Sequence, residues 1–170
     1  GRLGQGLLYA TGDIGASHLR GWPPTSAPPD TSVVPMVELL LPGRFEKTLK
    51  DSLEICHFTN RIPIRMNQMI RLLNGASGLE YNEDIINEFG RRIETLIRLF
   101  NTREGITRAD DTIPPRFWEP QTHGPTKGMR AFESEADLQA GLDRYYELLG
   151  WDSRGVPTQE TIENLGISDL

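Results

Sequence analysis

Two short stretches hold most of the side chains that could do chemistry. The first runs through Gly12, Asp13, Ile14, Gly15, Ala16, Ser17 and His18 to Leu19, Arg20 and Gly21. Small residues let a backbone approach a ligand closely. An imidazole can move a proton near neutral pH. A guanidinium two positions on can hold an anionic or oxygen-rich group in its planar fork. The same residues also describe a glycine-rich turn with a surface His and Arg. Both readings fit this stretch, because motifs this short recur by chance.

The second stretch is Asp51, Ser52, Leu53, Glu54, Ile55 and Cys56. On an unbroken helix, residues five apart stand roughly 140° apart around the axis. A ligand touching both Asp51 and Cys56 would have to be large or lie across the helix end. The alternative is a buried helical cysteine, a common fate of isolated thiols. Cys56 is the sole cysteine, so an intrachain disulfide is excluded and an oxidising compartment is not needed. A cytoplasmic location is expected.

The remaining inventory excludes several classes. His18, His57 and His123 do not pair at metal-ligand spacing. There is no nucleophile elbow, phosphate loop or dinucleotide fingerprint. A net charge of -6 without a basic face argues against nucleic acid as partner. The longest apolar run, residues 37–41, contains Glu38 and falls far short of the ~18 residues of a membrane span. The first residues lack an initiator Met and read as the interior of a longer polypeptide.

The elements that must position these residues are helical. Residues 3–11 form a helix end, and prolines at 23, 24, 28, 29 and 35 make residues 21–35 an irregular loop. Phe45, Leu49, Leu53 and Cys56 share one stripe, which predicts a helix over residues 43 to about 59. A second is predicted from residue 64 to about 73, stopped by Gly75 and Gly78. The strongest pattern spans residues 83–101, with Ile85, Phe89, Ile93, Leu96, Ile97 and Phe100 apolar and Asn82 as N-cap. Residues 102–133 read as an extended arm. Ser134 caps a helix to about residue 149, with Asp137 at capping-box distance and Leu138, Leu142, Tyr145, Tyr146 and Leu149 inward. Pro157 and Thr158 open a last short helix ending at Gly166. The expected class is all-α, an irregular multi-helix domain with long loops.

These stretches, in this order, resemble the aldehyde:ferredoxin oxidoreductase family of tungsten- and molybdenum-pterin enzymes. The likeness covers nearly the whole chain. It rests on residues 9–21 and 51–56, on Glu94, Thr95 and Leu96, and on Arg98 through Gly105. It continues through Arg108 to Arg116, and through Tyr145, Tyr146, Gly150, Trp151, Asp152 and the run Gly155 to Thr158. The family motif Asp-x-x-Gly-Leu-Cys corresponds to Asp51 through Cys56, with Glu54 in place of Gly.

The resemblance implies that residues 1–170 are a single C-terminal helical domain of a larger enzyme. It implies that Asp51 hydrogen-bonds a pterin, that Ile55 contributes backbone, and that Cys56 is the fourth ligand of a [4Fe-4S] cluster. Clusters of this type need four thiolates, and the other three would lie outside this chain. His18 would be a catalytic proton donor or carbonyl-polarising group, and Arg20 a basic residue near the pterin. A carboxylate at Glu54 would crowd or repel the cofactor's phosphates. The Arg98–Arg116 stretch would organise packing, with Asp110 and Asp111 solvated or paired with Arg108 or Arg116.

The parent reaction would oxidise aldehydes to carboxylic acids with ferredoxin as acceptor. Two alternatives stand beside it: a non-catalytic binding or assembly module of the same fold, and a subunit of an aromatic acyl-CoA reductase relative. By itself the chain is expected to be inactive, to carry no tungstopterin, molybdopterin or cluster, and to be mobile around residues 12–35. It is also expected to expose apolar surface that normally meets the rest of the polypeptide, with self-association into a homo-oligomer as one consequence.

Overall fold

A computed structural model describes residues 3–21, 32–56, 58, 65–130 and 132–168. Most of the proline-rich loop and His57 lie outside these. The described residues form six α-helices: α1 (Leu3–Ala10), α2 (Val34–Ser52), α3 (Met66–Ser77), α4 (Glu83–Arg103), α5 (Glu135–Leu149) and α6 (Gln159–Asn164). Two 3-10 turns, Arg108–Asp110 and Pro115–Trp118, punctuate the segment between α4 and α5. The described residues contain isolated bridges but no strand, so the all-α expectation holds.

Helix α2 is the spine, packed against α4 on one side and α5 on another. It begins nine residues earlier and ends seven residues sooner than the stripe predicts, at 34 and 52 against 43 and 59. Pro35 does not belong to a loop, because it sits in the first turn of α2, where its missing N–H costs nothing. Pro42 lies inside the helix. The start is tied down from across the fold. The Asp137 carboxylate accepts the Val33 N–H at 2.9 and 3.1 Å and the Ser32 hydroxyl at 2.5 Å. Asp137 therefore caps α2 and not its own helix, while Ser134 accepts the Asp137 N–H at 3.1 Å as expected.

The core joins Leu7 and Leu8 of α1, Val37, Leu40, Leu41 and Phe45 of α2, and Leu138, Leu142, Tyr145, Tyr146 and Leu149 of α5. Ile113 and Phe132 belong to it too. The arm is thus an integral packing element, with Trp118 and Phe132 rings 5.8 Å apart. A smaller cluster of Leu49, Met69 and Ile86 seats α3, with Ile55 against it. Helix α3 runs through Gly75 and stops at Gly78, whose φ is 72°.

Helix α4 departs most from its pattern. The cap is as read, Asn82 accepting the Ile85 N–H at 2.9 Å. The predicted apolar stripe, however, is not the buried face. Ile85, Phe89 and Phe100 are 42%, 40% and 55% exposed. The helix buries Ile86, Gly90, Glu94, Thr95 and Arg98, a face rotated from the stripe by roughly a third of a turn.

Polar contacts hold it that way. Arg44 of α2 donates from Nε to Glu94 at 2.7 Å, and Thr48 donates to the same carboxylate at 3.0 Å. Arg44 also reaches the Thr11 hydroxyl and carbonyl, both at 3.2 Å. Burial opposes the Arg44 charge, yet Glu94 holds its pKa above the ordinary arginine value. Gly90 lets α2 approach, since a Cβ there would lie 2.6 Å from that of Phe45.

A second hub anchors the other end. Arg98 grips Asp111 in a two-toothed pair at 2.9 and 2.7 Å and donates to the Gly155 carbonyl at 2.7 Å. Tyr146 donates to the same carboxylate. Burial, then this hydrogen bond, pushes the Tyr146 pKa up. Arg98 lies over the Trp151 ring, 5.4 Å from its centroid. So Asp111 pairs with Arg98, whereas Arg108 pairs with Asp143 and Arg116 with Glu119.

Breaking a buried pair strands a charge, at about 3–5 kcal/mol, whereas replacing both partners with apolar groups is often neutral. Glu94→Ala should therefore lower unfolding stability by that amount in urea titrations. The double change Arg44→Met with Glu94→Leu should recover most of it.

Burial raises the Tyr145 pKa to about 12, against the pull of Arg44. The unfolded chain ionises near pH 10, so the unfolded state binds fewer protons between these values. Stability is complete below pH 10 and is lost as pH rises toward 12, by about 3 kcal/mol from this group. Urea midpoints at pH 9, 10 and 11 should fall less steeply in Tyr145→Phe.

Candidate cofactor site

The two stretches singled out by chemistry meet in space. Arg20 reaches Asp13 at 3.3 Å within its own strip and Asp51 at 3.1 Å on α2. Lys47, one turn before Asp51 on α2, donates to the other Asp51 oxygen. The Asp51 carboxylate thus carries one cation per oxygen. These groups line a cleft of about 190 Å³ with Thr48, Ser52 and, from α4, Ile93, Glu94 and Ile97. Asn101 of α4 donates to the Asp13 carbonyl at 3.3 Å, which holds the strip against the same helix.

A larger cavity of about 420 Å³ lies along the other side of the strip. It is lined by Gly12 through Ala16, both buried guanidiniums Arg44 and Arg98, and Trp151. His18 lies in an exposed turn and lines neither cleft. The structure therefore brings Arg20 and Asp51 together and leaves His18 outside their contact.

The end of α2 places the rest. Leu53 N–H returns to Leu49 O at 3.0 Å, Glu54 N–H to Asp51 O at 3.1 Å, and Ile55 N–H to Lys50 O at 2.8 Å. The last two are the paired bonds of a Schellman stop, which sets its αL residue at Glu54. Glu54 has φ 56°, the sole positive φ on a non-glycine among the described residues. Side chains pay about 1–2 kcal/mol for that conformation, and glycine does not. This gives a backbone reason for glycine in the motif. The Glu54 side chain is exposed and does not line the cleft. The glutamate at this position therefore carries a strain in the turn itself.

Ile55, half-buried, packs against the cluster containing Leu49, the apolar clasp usual for this stop. Its N–H is committed to Lys50, so any backbone contact with a ligand falls to its carbonyl. Cys56 follows as an exposed thiol beyond the helix end, not in a buried helical position. Asp51 and Cys56 flank one turn, and a large ligand lying across that turn can meet both.

The donor set suits a pterin beside a thiolate-bound cluster. Asp51 offers acceptors, Arg20 and Lys47 offer cations for phosphate, and Cys56 offers a thiolate. No group of three or more metal-binding side chains occurs among the described residues. Sequence reasoning missed Lys47 and Thr48. The signal was available, since Lys47 stands four residues before Asp51 on a helix.

Comparisons with known proteins give the family. A family described as aldehyde ferredoxin oxidoreductase, domains 2 and 3, matches residues 1–167. The tungsten-containing aldehyde ferredoxin oxidoreductase of Pyrococcus furiosus is 34% identical over 181 residues, covering 100% of this chain and 29% of that protein. The enzyme of the same name from Thermococcus kodakarensis is 33% identical over the same coverage. An aliphatic sulfonate oxidoreductase, WOR-like subunit, also of Pyrococcus furiosus, is 35% identical over 75% of this chain and 21% of its own length. Among solved structures, the active-site complex BamBC of benzoyl coenzyme A reductase, with 1,5-dienoyl-CoA, superposes with TM-score 0.63 at 22% identity. It covers 79% of this chain and 19% of its own, and shows the fold. The chain thus spans under a third of the length of the tungsten relatives.

Relief of the strained turn gives a direct test. Glu54→Gly should stabilise the chain by about 1 kcal/mol, raising Tm by roughly 2–4 °C for a protein this size. Glu54→Ala, which keeps the Cβ, should leave Tm nearly unchanged in the same thermal melts.

Proposed function

Because the chain belongs to the aldehyde ferredoxin oxidoreductase family, we propose that it is the C-terminal helical domain of a tungsten- or molybdenum-pterin, iron–sulfur enzyme. That enzyme oxidises aldehydes to carboxylic acids and passes electrons to ferredoxin. The observation that carries this reading is the Arg20–Asp51 pair at the end of α2, 3.1 Å apart and five residues before Cys56. It joins the two segments that the family resemblance assigns to the cofactor. The activity belongs to the whole protein, in which this chain meets the remainder of the polypeptide. No described helix is long and apolar enough to cross a membrane, and the cytoplasm is the proposed location.

The bound cofactor would supply the two-electron oxidation, with water as oxygen source and the cluster as the exit for single electrons. The residues of this chain do the positioning. Asp51 would accept hydrogen bonds from the pterin ring. Arg20 and Lys47 balance the Asp51 charge and would offer cations to the cofactor's anionic groups. Ile55 would contribute its backbone carbonyl, its N–H being bonded to Lys50 O. Cys56 serves as one of the four cluster thiolates. His18, in an exposed turn outside both clefts, would be the residue to take up a proton released as aldehyde and water become the carboxylic acid.

The likeness to the benzoyl-CoA reductase complex is one of fold, and the sulfonate oxidoreductase relative has its own substrate. Nothing in the cleft selects among such substrates, and aldehyde oxidation is favoured because the tungsten relatives align over all of this chain.

In the full-length protein, Asp51→Asn removes a charge-assisted acceptor worth about 1.5–3 kcal/mol, or roughly 10–100-fold in affinity. Pterin fluorescence and tungsten or molybdenum content after purification should fall, with iron largely retained. Cys56→Ala should lower iron instead. Full pterin content in Asp51→Asn would remove the residue from the cofactor.

A further inference from the structure

A second concave site lies away from the cofactor cleft. Helix α4 presents Asp84, Asn87, Glu88 and Arg91 on the flank roughly opposite the stripe of Ile85, Phe89 and Ile93. That flank forms one wall of a groove of about 580 Å³, closed by α2 and the ends of α5 and α6. The volume falls within the ~300–1,000 Å³ of ordinary small-molecule pockets. Its floor is apolar, from the buried side chains of Leu41, Phe45 and Leu165.

The rim is acidic, and the protein leaves part of that charge without a counterion. Asp84 and Glu88 stand four residues apart on α4, a spacing at which like charges repel. Asp84 suits the positive end of the helix, but Glu88 lies one turn further in. Arg91 and Arg92 follow Glu88 at helical pairing distance. Both are drawn elsewhere, Arg91 to the Leu148 carbonyl and Arg92 to the Gly166 carbonyl at 3.0 Å. Among the described residues no cation pairs with Asp84 or Glu88. Across the groove, Glu38 pairs with Arg144. Pro42 adds an acceptor, because a proline inside a helix has no N–H for the carbonyl four residues back, that of Glu38. Both residues line the groove.

We propose that this groove binds an amphiphilic organic cation, an ammonium or guanidinium head on an apolar body. The head sits against Asp84 and Glu88, with the Glu38 carbonyl as a further acceptor. The body lies on Leu41, Phe45 and Leu165. A bound cation relieves the repulsion between Asp84 and Glu88. An anion of the same shape meets three carboxylates against one guanidinium. The proposal does not rest on the pterin reading, whose residues line the other flank of α4.

The test is ligand-observed saturation-transfer NMR on the full-length protein. The probes are phenethylammonium and phenylacetate, which share an aromatic body and differ in the sign of the head. Phenethylammonium should bind with a Kd on the order of 1 mM, and phenylacetate about tenfold more weakly or not at all. Raising NaCl from roughly 0.05 to 0.5 M should weaken phenethylammonium about threefold. The double variant Asp84→Asn with Glu88→Gln should weaken it about fivefold, with an unchanged circular dichroism spectrum. Equal binding of the two probes, absence of binding at about 10 mM, or full affinity in the double variant would overturn the proposal. The comparison of probes needs no variant, so it decides the matter even if the double variant misfolds. Asp51→Asn should bind phenethylammonium as the parent protein does, and lost binding there would move the probe to the cofactor cleft and overturn the assignment.

Discussion

The pairing of Arg44 with Glu94 sets the rotation of α4, and much else follows from it. An amphipathic helix left to the hydrophobic effect would turn Ile85, Phe89 and Phe100 inward. Here a desolvated guanidinium on α2 needs a carboxylate, and Glu94 lies about a third of a turn from the centre of that stripe. Leaving Arg44 unpaired would cost more than exposing three partly covered apolar side chains at about 25 cal/mol per Å². The ion pair therefore decides the face, and Gly90 permits the close approach to Phe45 that the pair requires.

The Arg98–Asp111 hub repeats this logic at the far end of α4. Arg98 satisfies Asp111, the Gly155 carbonyl and two aromatic faces at once. It thereby ties the arm after α4 and the turn after α5 to one side chain. Gly155, with φ 74° and a would-be Cβ 2.5 Å from the Arg98 guanidinium, lets that turn come so near. Two buried polar hubs, and not a uniform apolar seam, hold α4 to the body. Its outward face is then available for a neighbour at no cost to this packing.

Helix existence was legible in the sequence, because caps and glycine stops act locally. Asn82, Ser134, Thr158, Gly78 and Gly150 all mark the boundaries that the structure shows. The start of α2 was not legible, because its cap is Asp137, more than a hundred residues away. Nor was the buried face of α4, since periodicity measures apolarity and the buried residues are polar. Asp111 likewise invited pairing with nearby Arg108 or Arg116, while its partner Arg98 sits a helix end away. For the site, Arg20, Asp51 and Cys56 were legible as chemistry and as family likeness. Their meeting was not, because it depends on how the glycine-rich strip folds back over α2.

Glu54 ties these strands together. A continuous helix through residue 59 would have set Asp51 and Cys56 on different faces, with the thiol turned toward α3 or solvent. The αL residue at 54 reverses the chain, packs the half-buried Ile55 against the cluster containing Leu49 and releases Cys56 beyond the last turn. Asp51 stays in that turn, held by Arg20 and Lys47. The strained conformation persists with a glutamate because the two backbone bonds and the Ile55 contact together outweigh the ~1–2 kcal/mol of the αL penalty. The geometry of the candidate site is therefore a property of the helix stop. Glutamate in place of glycine therefore bears first on how firmly that stop is held.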